Sequence, residues 1–239
     1  ASHDGIGVRP LEGLVPQAEV EKVLENVRRA GGHVSTKANS DGSESPYELN
    51  ITYFDALGLP DDPDETRKID RFLCSQAIAL ELKGVPAVYF HSLVGTRNDL
   101  DGVKQKGHPR AINRHKWDAD TLEAHLGDET DTHAIILARY THMLRVRSSH
   151  PAFHPDADQR VLEIGKNVFV VARLAANGSE IILCISSLSP DAQALETARL
   201  LQPFSDASAW NDLIATERLD PIPESLELAP YQTRWLTPA

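Results

Sequence analysis

The spacing of apolar residues changes once along this chain, near Pro155, and that change narrows the available folds more than any other feature. Before it, apolar residues recur at helical intervals. Pro16 to Arg29 places Val20, Val23, Leu24 and Val27 on one helix face, and Gly31-Gly32 stops the helix in a common way. Asp62-Pro63 starts a second helix, acidic in its first turn. Its apolar face runs through Ile69, Phe72, Leu73, Ala77, Ile78 and Leu80, and Gly84 ends it. A third helix is expected over 131–148, with Ile135, Ile136, Leu137, Tyr140, Met143, Leu144 and Val146 as its core face and His150-Pro151 as its stop. Beyond Pro155 the apolar runs are short: 161–164, 168–172, 181–185 and 226–236, with turn signals such as Asn177-Gly178 between them. That pattern is an antiparallel sheet. The boundary falls at 153–158 and divides the chain into 1–155 and 156–239.

The first part also holds one strand-like run, Val85-Pro86-Ala87-Val88-Tyr89-Phe90, apolar, β-branched and aromatic, as a buried parallel strand would be. Helix, strand, long polar loop and helix in succession is the order of an α/β fold. Two polar stretches read as loops: 35–45, too polar for a core and placed where functional loops occur, and 95–116. Residues 1–14, punctuated by Gly and Pro, read the same way.

With 239 residues, 41% of them hydrophobic, the chain can bury one large core or two smaller ones. Its formal net charge of −11, with Lys and Arg scattered, argues against nucleic acid or an anionic membrane as partner. No apolar stretch reaches the ~18 residues of a membrane span, and no secretory segment opens the chain, so a soluble protein is expected. Cys74 and Cys184 sit in apolar contexts far apart and read as two buried thiols, which suits a reducing cytoplasm. The opening Ala1-Ser2-His3-Asp4-Gly5, without an initiator Met, reads as the middle of a longer polypeptide.

Four segments taken in order carry a resemblance. They are Ser2-His3-Asp4-Gly5-Ile6-Gly7; Pro46-Tyr47-Glu48-Leu49-Asn50-Ile51-Thr52-Tyr53; Gly84 to Phe90 followed by Gly107-His108-Pro109-Arg110-Ala111-Ile112-Asn113-Arg114; and Ala229-Pro230-Tyr231-Gln232-Thr233-Arg234-Trp235-Leu236. Together they resemble the sucrose phosphorylase branch of the family 13 glycoside hydrolases, the α-amylase superfamily. The resemblance implies the C-terminal part of a (β/α)₈ barrel, strands seven and eight, followed by a small antiparallel β-domain. A complete barrel takes ~250 residues, so the first six strands would lie outside this chain.

The same resemblance implies the site. Retaining cleavage of an α-glucoside needs two carboxyl groups about 5–5.5 Å apart, and in the family these follow the fourth and fifth strands, outside this chain. A third carboxylate falls on Asp4, where it would hold the sugar's 2- and 3-hydroxyls more strongly as the ring becomes oxocarbenium-like. From the residues alone, an Asp in a Gly-rich loop is most often a turn former. His3 would donate to the same hydroxyls. Arg110, with its rigid fork of donors, would close the glucose pocket against the 4-hydroxyl, whereas Arg114 reads as a surface arginine. Tyr47 and Glu48 would face the acceptor or the incoming phosphate. Sucrose-specific members typically carry Gln where Glu48 stands, which turns the reading away from sucrose.

Other arrangements carry less. His108, His115, His125 and His133 lack metal-ligand spacing, Gly5-Ile6-Gly7 lacks the third glycine of a dinucleotide fingerprint, and no Ser/His/Asp arrangement stands out. The resemblance therefore implies a phosphorylase that passes glucose from a small α-glucoside to inorganic phosphate, giving α-glucose 1-phosphate with retention. Glucosylglycerol is the first choice of donor, because a bare Glu48 would favour a polyol over an anion; glucosylglycerate, sucrose 6-phosphate and sucrose follow. No metal or other cofactor is required. The partners implied are the glucoside, phosphate and the N-terminal half of the same enzyme, with room for a homodimer. A hydrolase or transglucosidase would use the same residues, and a non-catalytic relative would lack the two carboxylates. On this reading the chain alone is inactive and exposes apolar surface.

Overall fold

The computed structural model describes residues 1–59 and 61–239. The chain forms two compact units, each discontinuous in sequence: Ala1–Ile69 with Val88–Leu137, and Asp70–Ala87 with Ala138–Ala239. The expected boundary at 155 falls inside the second of these.

The first unit opens with strand β1 (Ile6–Gly7), helix α1 (Gln17–Arg29) and a hairpin of β2 (His33–Ala38) and β3 (Glu44–Asn50). Helix α1 buries Val20, Leu24 and Val27, the four-then-three spacing of one face, in a cluster with Val8, Leu49 and Ile51. Arg28 and Arg29 occupy its last turn, where cations suit the helix dipole. The sheet order is β1-β3-β2, all antiparallel. The polar stretch expected as a loop is therefore most of a hairpin, turned through Asn39–Ser43 with Gly42 at φ 83°. Its polarity concealed it because the distal residues of β2 are exposed and those of β3 no more than half-buried, so no alternation marks the strand.

The unit continues through α2 (Tyr53–Ala56), the start of α3 (Glu65–Glu81), α4 (Phe90–Leu93), α5 (Leu100–Lys106), a 3-10 turn at Pro109–Asn113, α6 (Ala119–Gly127) and the start of α7 (Thr132–Ser149). Side chains cap three of these helices: Thr52 accepts from Asp55 N, Asp99 from Gly102 N, and Asp118 from Thr121 N. The capped α5 and the 3-10 turn occupy the expected loop 95–116.

The second unit takes the rest of α3 and α7, then β4 (Asp158–Gly165), β5 (Val168–Leu174), β6 (Ile181–Ser187), β7 (Gln193–Glu196), α8 (Thr197–Leu201), β8 (Trp210–Asp212), β9 (Glu217–Leu219), β10 (Ser225–Leu228) and β11 (Thr233–Pro238). Six strands form an antiparallel sheet in the order β4-β5-β6-β11-β8-β9, and β10 pairs with β7 separately. The run 226–236, expected as one strand, is thus two strands in two sheets, parted by a turn with Tyr231 at φ 55°. One face of the large sheet buries Val168, Val170, Ala172, Leu183, Ile185 and Leu236 with Leu226 and Leu228. Phe72, Leu73, Ala77 and Leu80 of α3 are buried as their spacing predicts. Two buried arginines complete the end of α3, where carbonyls lack helical partners. Arg147 donates to Leu80 O at 2.6 Å and Gly84 O at 2.8 Å, and Arg173 to Glu81 O at 2.8 Å. Cys74 and Cys184 are free and buried, and burial pushes the Cys74 thiol up to about 11.

Val85–Tyr89 joins no sheet and no helix, and Val85 is 82% exposed. Every ladder among the described residues is antiparallel, β1 included. The parallel barrel strands expected at Ser2–Gly7 and Val85–Phe90 are therefore not paired as such. A strand has unpaired amides and carbonyls along both edges until neighbours supply partners, and none of the described residues lies alongside 85–89 in a ladder. Among the described residues no helix is long and apolar enough to cross a membrane.

Candidate functional site

A glycine brings the expected site residues together. Gly5 sits at φ 133°, and a Cβ there would lie 2.3 Å from Leu49 O, so only glycine allows this approach of chain to chain. That contact precedes the pairing of Ile6 with Leu49 and Gly7 with Glu48, and it sets Asp4 against the end of β3.

Glu48 is buried on β3, and both its carboxylate oxygens are engaged. Arg110 Nε donates to Oε2 at 2.9 Å and Arg110 Nη2 to Oε1 at 3.4 Å, a two-pronged grip. Asn50 lies two residues along the same strand and so on the same face; it donates to Glu48 Oε2 at 2.9 Å. Its amide also reaches Asp4 O at 3.2 Å, and Ser35 Oγ donates to its carbonyl at 2.5 Å. The hydrogen bonds and charge of Glu48 hold the Arg110 guanidinium above its ordinary range.

Asp4 receives two guanidinium groups and an imidazole. Arg114 Nη2 lies 2.9 Å from Oδ1, Arg110 Nη1 3.4 Å from the same oxygen, and His3 Nε2 3.5 Å from Oδ2. Arg114 also fixes the backbone, donating from Nε to His3 O at 2.9 Å. Asn113 donates to Ser2 O, and Tyr89 OH to Asn113 O at 2.9 Å. Burial, ahead of the influence of Arg114 and Asp4, raises the Tyr89 phenol.

All five expected residues, Asp4, His3, Arg110, Tyr47 and Glu48, thus lie in one neighbourhood. Tyr47 is exposed and the least engaged of the five. One feature departs from the sequence reading and another extends it. Glu48 is not a bare carboxylate facing solvent, because Arg110 compensates its charge. Arg114 is, as read, a partly exposed arginine paired with an acid, but that acid is Asp4 and the arginine also donates to the His3 carbonyl. Asn50 and Asn113 were also missed. For Asn50 the period of two from Glu48 was an available signal; for Asn113 nothing in the sequence indicates a partner over a hundred residues away. Of the four histidines read as lacking metal spacing, His125 and His133 come together with Asp131.

The cluster holds two carboxylates and two guanidinium groups in mutual contact, with one imidazole beside them. It offers fixed hydrogen-bond donors and acceptors to a polar ligand, and a negative charge at Asp4 held in place from two sides.

No protein-family model matches the chain. It is 35% identical over 236 residues to a glucosylglycerate phosphorylase of Escherichia coli K12, covering 99% of this chain and 40% of that protein. It is 48% identical over 163 residues to a glucosylglycerate phosphorylase of Allomeiothermus silvanus, covering 68% of this chain and 29% of that protein. A glucosylglycerol phosphorylase of Marinobacter adhaerens is 28% identical over 64% of this chain and 29% of its own length. Among solved structures, sucrose 6F-phosphate phosphorylase from Thermoanaerobacter thermosaccharolyticum matches the fold with a TM-score of 0.64, at 23% identity, over 78% of this chain and 35% of that one. The chain thus spans about two fifths of the length of the Escherichia coli protein it matches.

Proposed function

We propose that this chain is the C-terminal part of a retaining α-glucoside phosphorylase of the sucrose phosphorylase branch, one that passes glucose from glucosylglycerate to inorganic phosphate. The observation that carries this reading is the meeting of His3-Asp4, Glu48 and Arg110, three separate parts of the sequence, in one charged cluster. The division into a barrel part, 1–155, and a sheet domain, 156–239, belongs to the same proposal. So does the placing of the first six barrel strands, with the nucleophile and the acid/base, in a preceding part of the polypeptide.

The choice of donor differs from the one the sequence suggested. The sequence favours glucosylglycerol only if Glu48 presents an uncompensated negative charge to the acceptor. With Arg110 bound to both Glu48 oxygens that repulsion is largely cancelled, and the argument against an anionic glycerate falls away. The relatives named for glucosylglycerate are 35% and 48% identical, against 28% for the one named for glucosylglycerol, and this supports the same choice.

In this reading Asp4 stabilises the positive charge that develops on the sugar ring, worth most when the carboxylate is already oriented. Arg114 and Arg110 orient it, and His3 donates beside it to the sugar hydroxyls. Arg110 and Glu48 act as one pair, which serves either the closed end of the glucose pocket or, beside Tyr47, the acceptor side. A β-glucosyl-enzyme forms on the preceding part of the protein, and phosphate in place of water attacks it, so the anomeric configuration is retained.

The test is phosphorolysis by the intact protein. Glucosylglycerate with phosphate should yield α-glucose 1-phosphate, and without phosphate the donor should persist. Release of free glucose at the same rate with and without phosphate would replace this reading with a hydrolase.

A further inference from the structure

Helix α6 ends and helix α7 begins around a second group of side chains, distinct from the Asp4 cluster. His125 lies in the last turn of α6, Asp131 immediately precedes α7, and His133 is its second residue. One donor atom from each of the three lies within 4.8 Å of the others. His133 is buried, and its Nδ1 lies 2.6 Å from Val94 O. A carbonyl only accepts, so the proton sits on Nδ1 and Nε2 presents a free lone pair. That is how metal-bound imidazoles are commonly held from behind. Asp131 is fixed twice, Oδ1 accepting from the His133 amide at 2.7 Å and Oδ2 lying 2.8 Å from His125 Nδ1. Trp117 stands edge-on to both rings, 5.7 Å from His125 and 5.0 Å from His133, and its Nε1 donates to Thr96 Oγ1 at 3.0 Å. The indole walls off one side and keeps both imidazoles in place.

We propose that His125, Asp131 and His133 bind one divalent transition-metal ion of the zinc class, with water at the remaining position. Two imidazoles and one carboxylate are a ligand set that such ions take, whereas calcium and magnesium require more oxygens than the site supplies. Zinc–nitrogen bonds of about 2.0–2.1 Å put tetrahedral ligand atoms roughly 3.3 Å apart, so ligand atoms as much as 4.8 Å apart must close by up to about 1.5 Å. The exposed His125 ring can do this by rotating, the metal taking the place of the proton that His125 shares with Asp131. Thiolates are absent from the set, which leaves the site open to exchange. The ion would tie the end of α6 to the start of α7 and fix Trp117. Trp117 lies three residues beyond Arg114, the residue that holds Asp4. Its part is structural, and it enters no step of the proposed reaction.

The intact protein, stripped with a chelator, is titrated with Zn²⁺ by calorimetry, and with Co²⁺ while its visible absorption is followed. One equivalent should bind, with the intense cobalt bands of a four-coordinate site. His125→Gln, a change at a half-exposed position that leaves the core intact, should weaken that equivalent at least about a hundredfold, and His133→Gln should do the same. His108→Gln, at an exposed histidine outside the group, should leave it unchanged. Absence of a bound equivalent, or an equivalent that persists in His125→Gln, overturns the proposal.

Discussion

Glu48 and Glu81 are both buried glutamates, and their surroundings are opposite. Glu48 lies under a guanidinium that grips both its oxygens, with Asn50 donating beside it and two more charged side chains at Asp4 and Arg114. Glu81, at the end of α3, has no cation on its carboxylate. Trp235 Nε1 donates to Oε1 at 2.8 Å, Ser186 Oγ to the same atom at 3.1 Å, and Oε2 has no hydrogen-bond partner. Burial pushes its carboxyl up to about 7, against the bonds from Trp235 and Ser186. The difference shows what burial without a cation does: it pushes the Glu81 carboxyl up to about 7, whereas in the first unit a guanidinium and an amide surround Glu48.

The largest expected effect is at the charged end of that comparison. On the proposed reaction, Asp4→Asn in the intact protein keeps the shape and removes the charge that would oppose the developing cation. Turnover should fall by about 10²–10³ with the fold unchanged by circular dichroism. If more than about a tenth of the wild-type rate remains, Asp4 does not stabilise the transition state, and the cluster is an ordinary salt-bridge network.

The next effect lies at Glu81 and concerns stability. Its folded pKa is raised from 4.5 to about 7, so folded protein holds a proton that unfolded protein releases within that window. The unfolded state binds fewer protons there, and stability falls as pH rises. The contribution is fully present below about pH 4.5 and lost by the time pH passes 7. Glu81→Gln removes the titration. Thermal melts of the two proteins between pH 5 and 8 should diverge, the wild type losing on the order of a few kcal/mol relative to the variant. Parallel curves would mean that Glu81 titrates normally, and the contrast with Glu48 would lose its physical basis.

How much of this was legible depended on whether partners were local. Val20, Leu24 and Val27 of α1 and the buried residues of α3 followed from spacing because a helix face is a local property, although Val23, read onto the same α1 face, is exposed. Strands β4, β5 and β6 were readable from β-branched runs parted by Asn177-Gly178. The hairpin β2–β3 was not, since its outer half buries neither face. Nor was the pairing of Arg114 with Asp4, 110 residues away, which only the fold brings about. Val85–Tyr89 is the instructive case: its composition is that of a buried strand, yet Val85 is largely exposed. The proposed preceding barrel strands would cover it. Val85→Ser should then destabilise the intact protein by about 1–2 kcal/mol, read as a lowered denaturation midpoint. An unchanged midpoint would mean that nothing covers the segment.

The smallest expected effect is at Glu48, and it decides what the Glu48–Arg110 pair is for. Glu48→Gln keeps an oxygen that accepts from Arg110 Nε and removes the negative charge that balances the guanidinium. Arg110 would then stand beside the site as an uncompensated cation, only partly checked by Asp4 at 3.4 Å. Because Arg110 is nearly half exposed, water and salt screen that charge, and the Coulomb effect is reduced accordingly. An anionic leaving group should still gain relative to a neutral one. The measured quantity is the ratio of kcat/KM for glucosylglycerate over glucosylglycerol, in wild type and variant, at low and high salt. The ratio should rise in Glu48→Gln by up to about tenfold, ~1.4 kcal/mol, and the rise should shrink as salt is added. A fall in the ratio would mean that Glu48 repels nothing and instead holds Arg110 in the pose that receives glycerate. An unchanged ratio would place the pair at the closed end of the glucose pocket, away from the acceptor, where it sets the position of Arg110 and leaves acceptor choice to other residues.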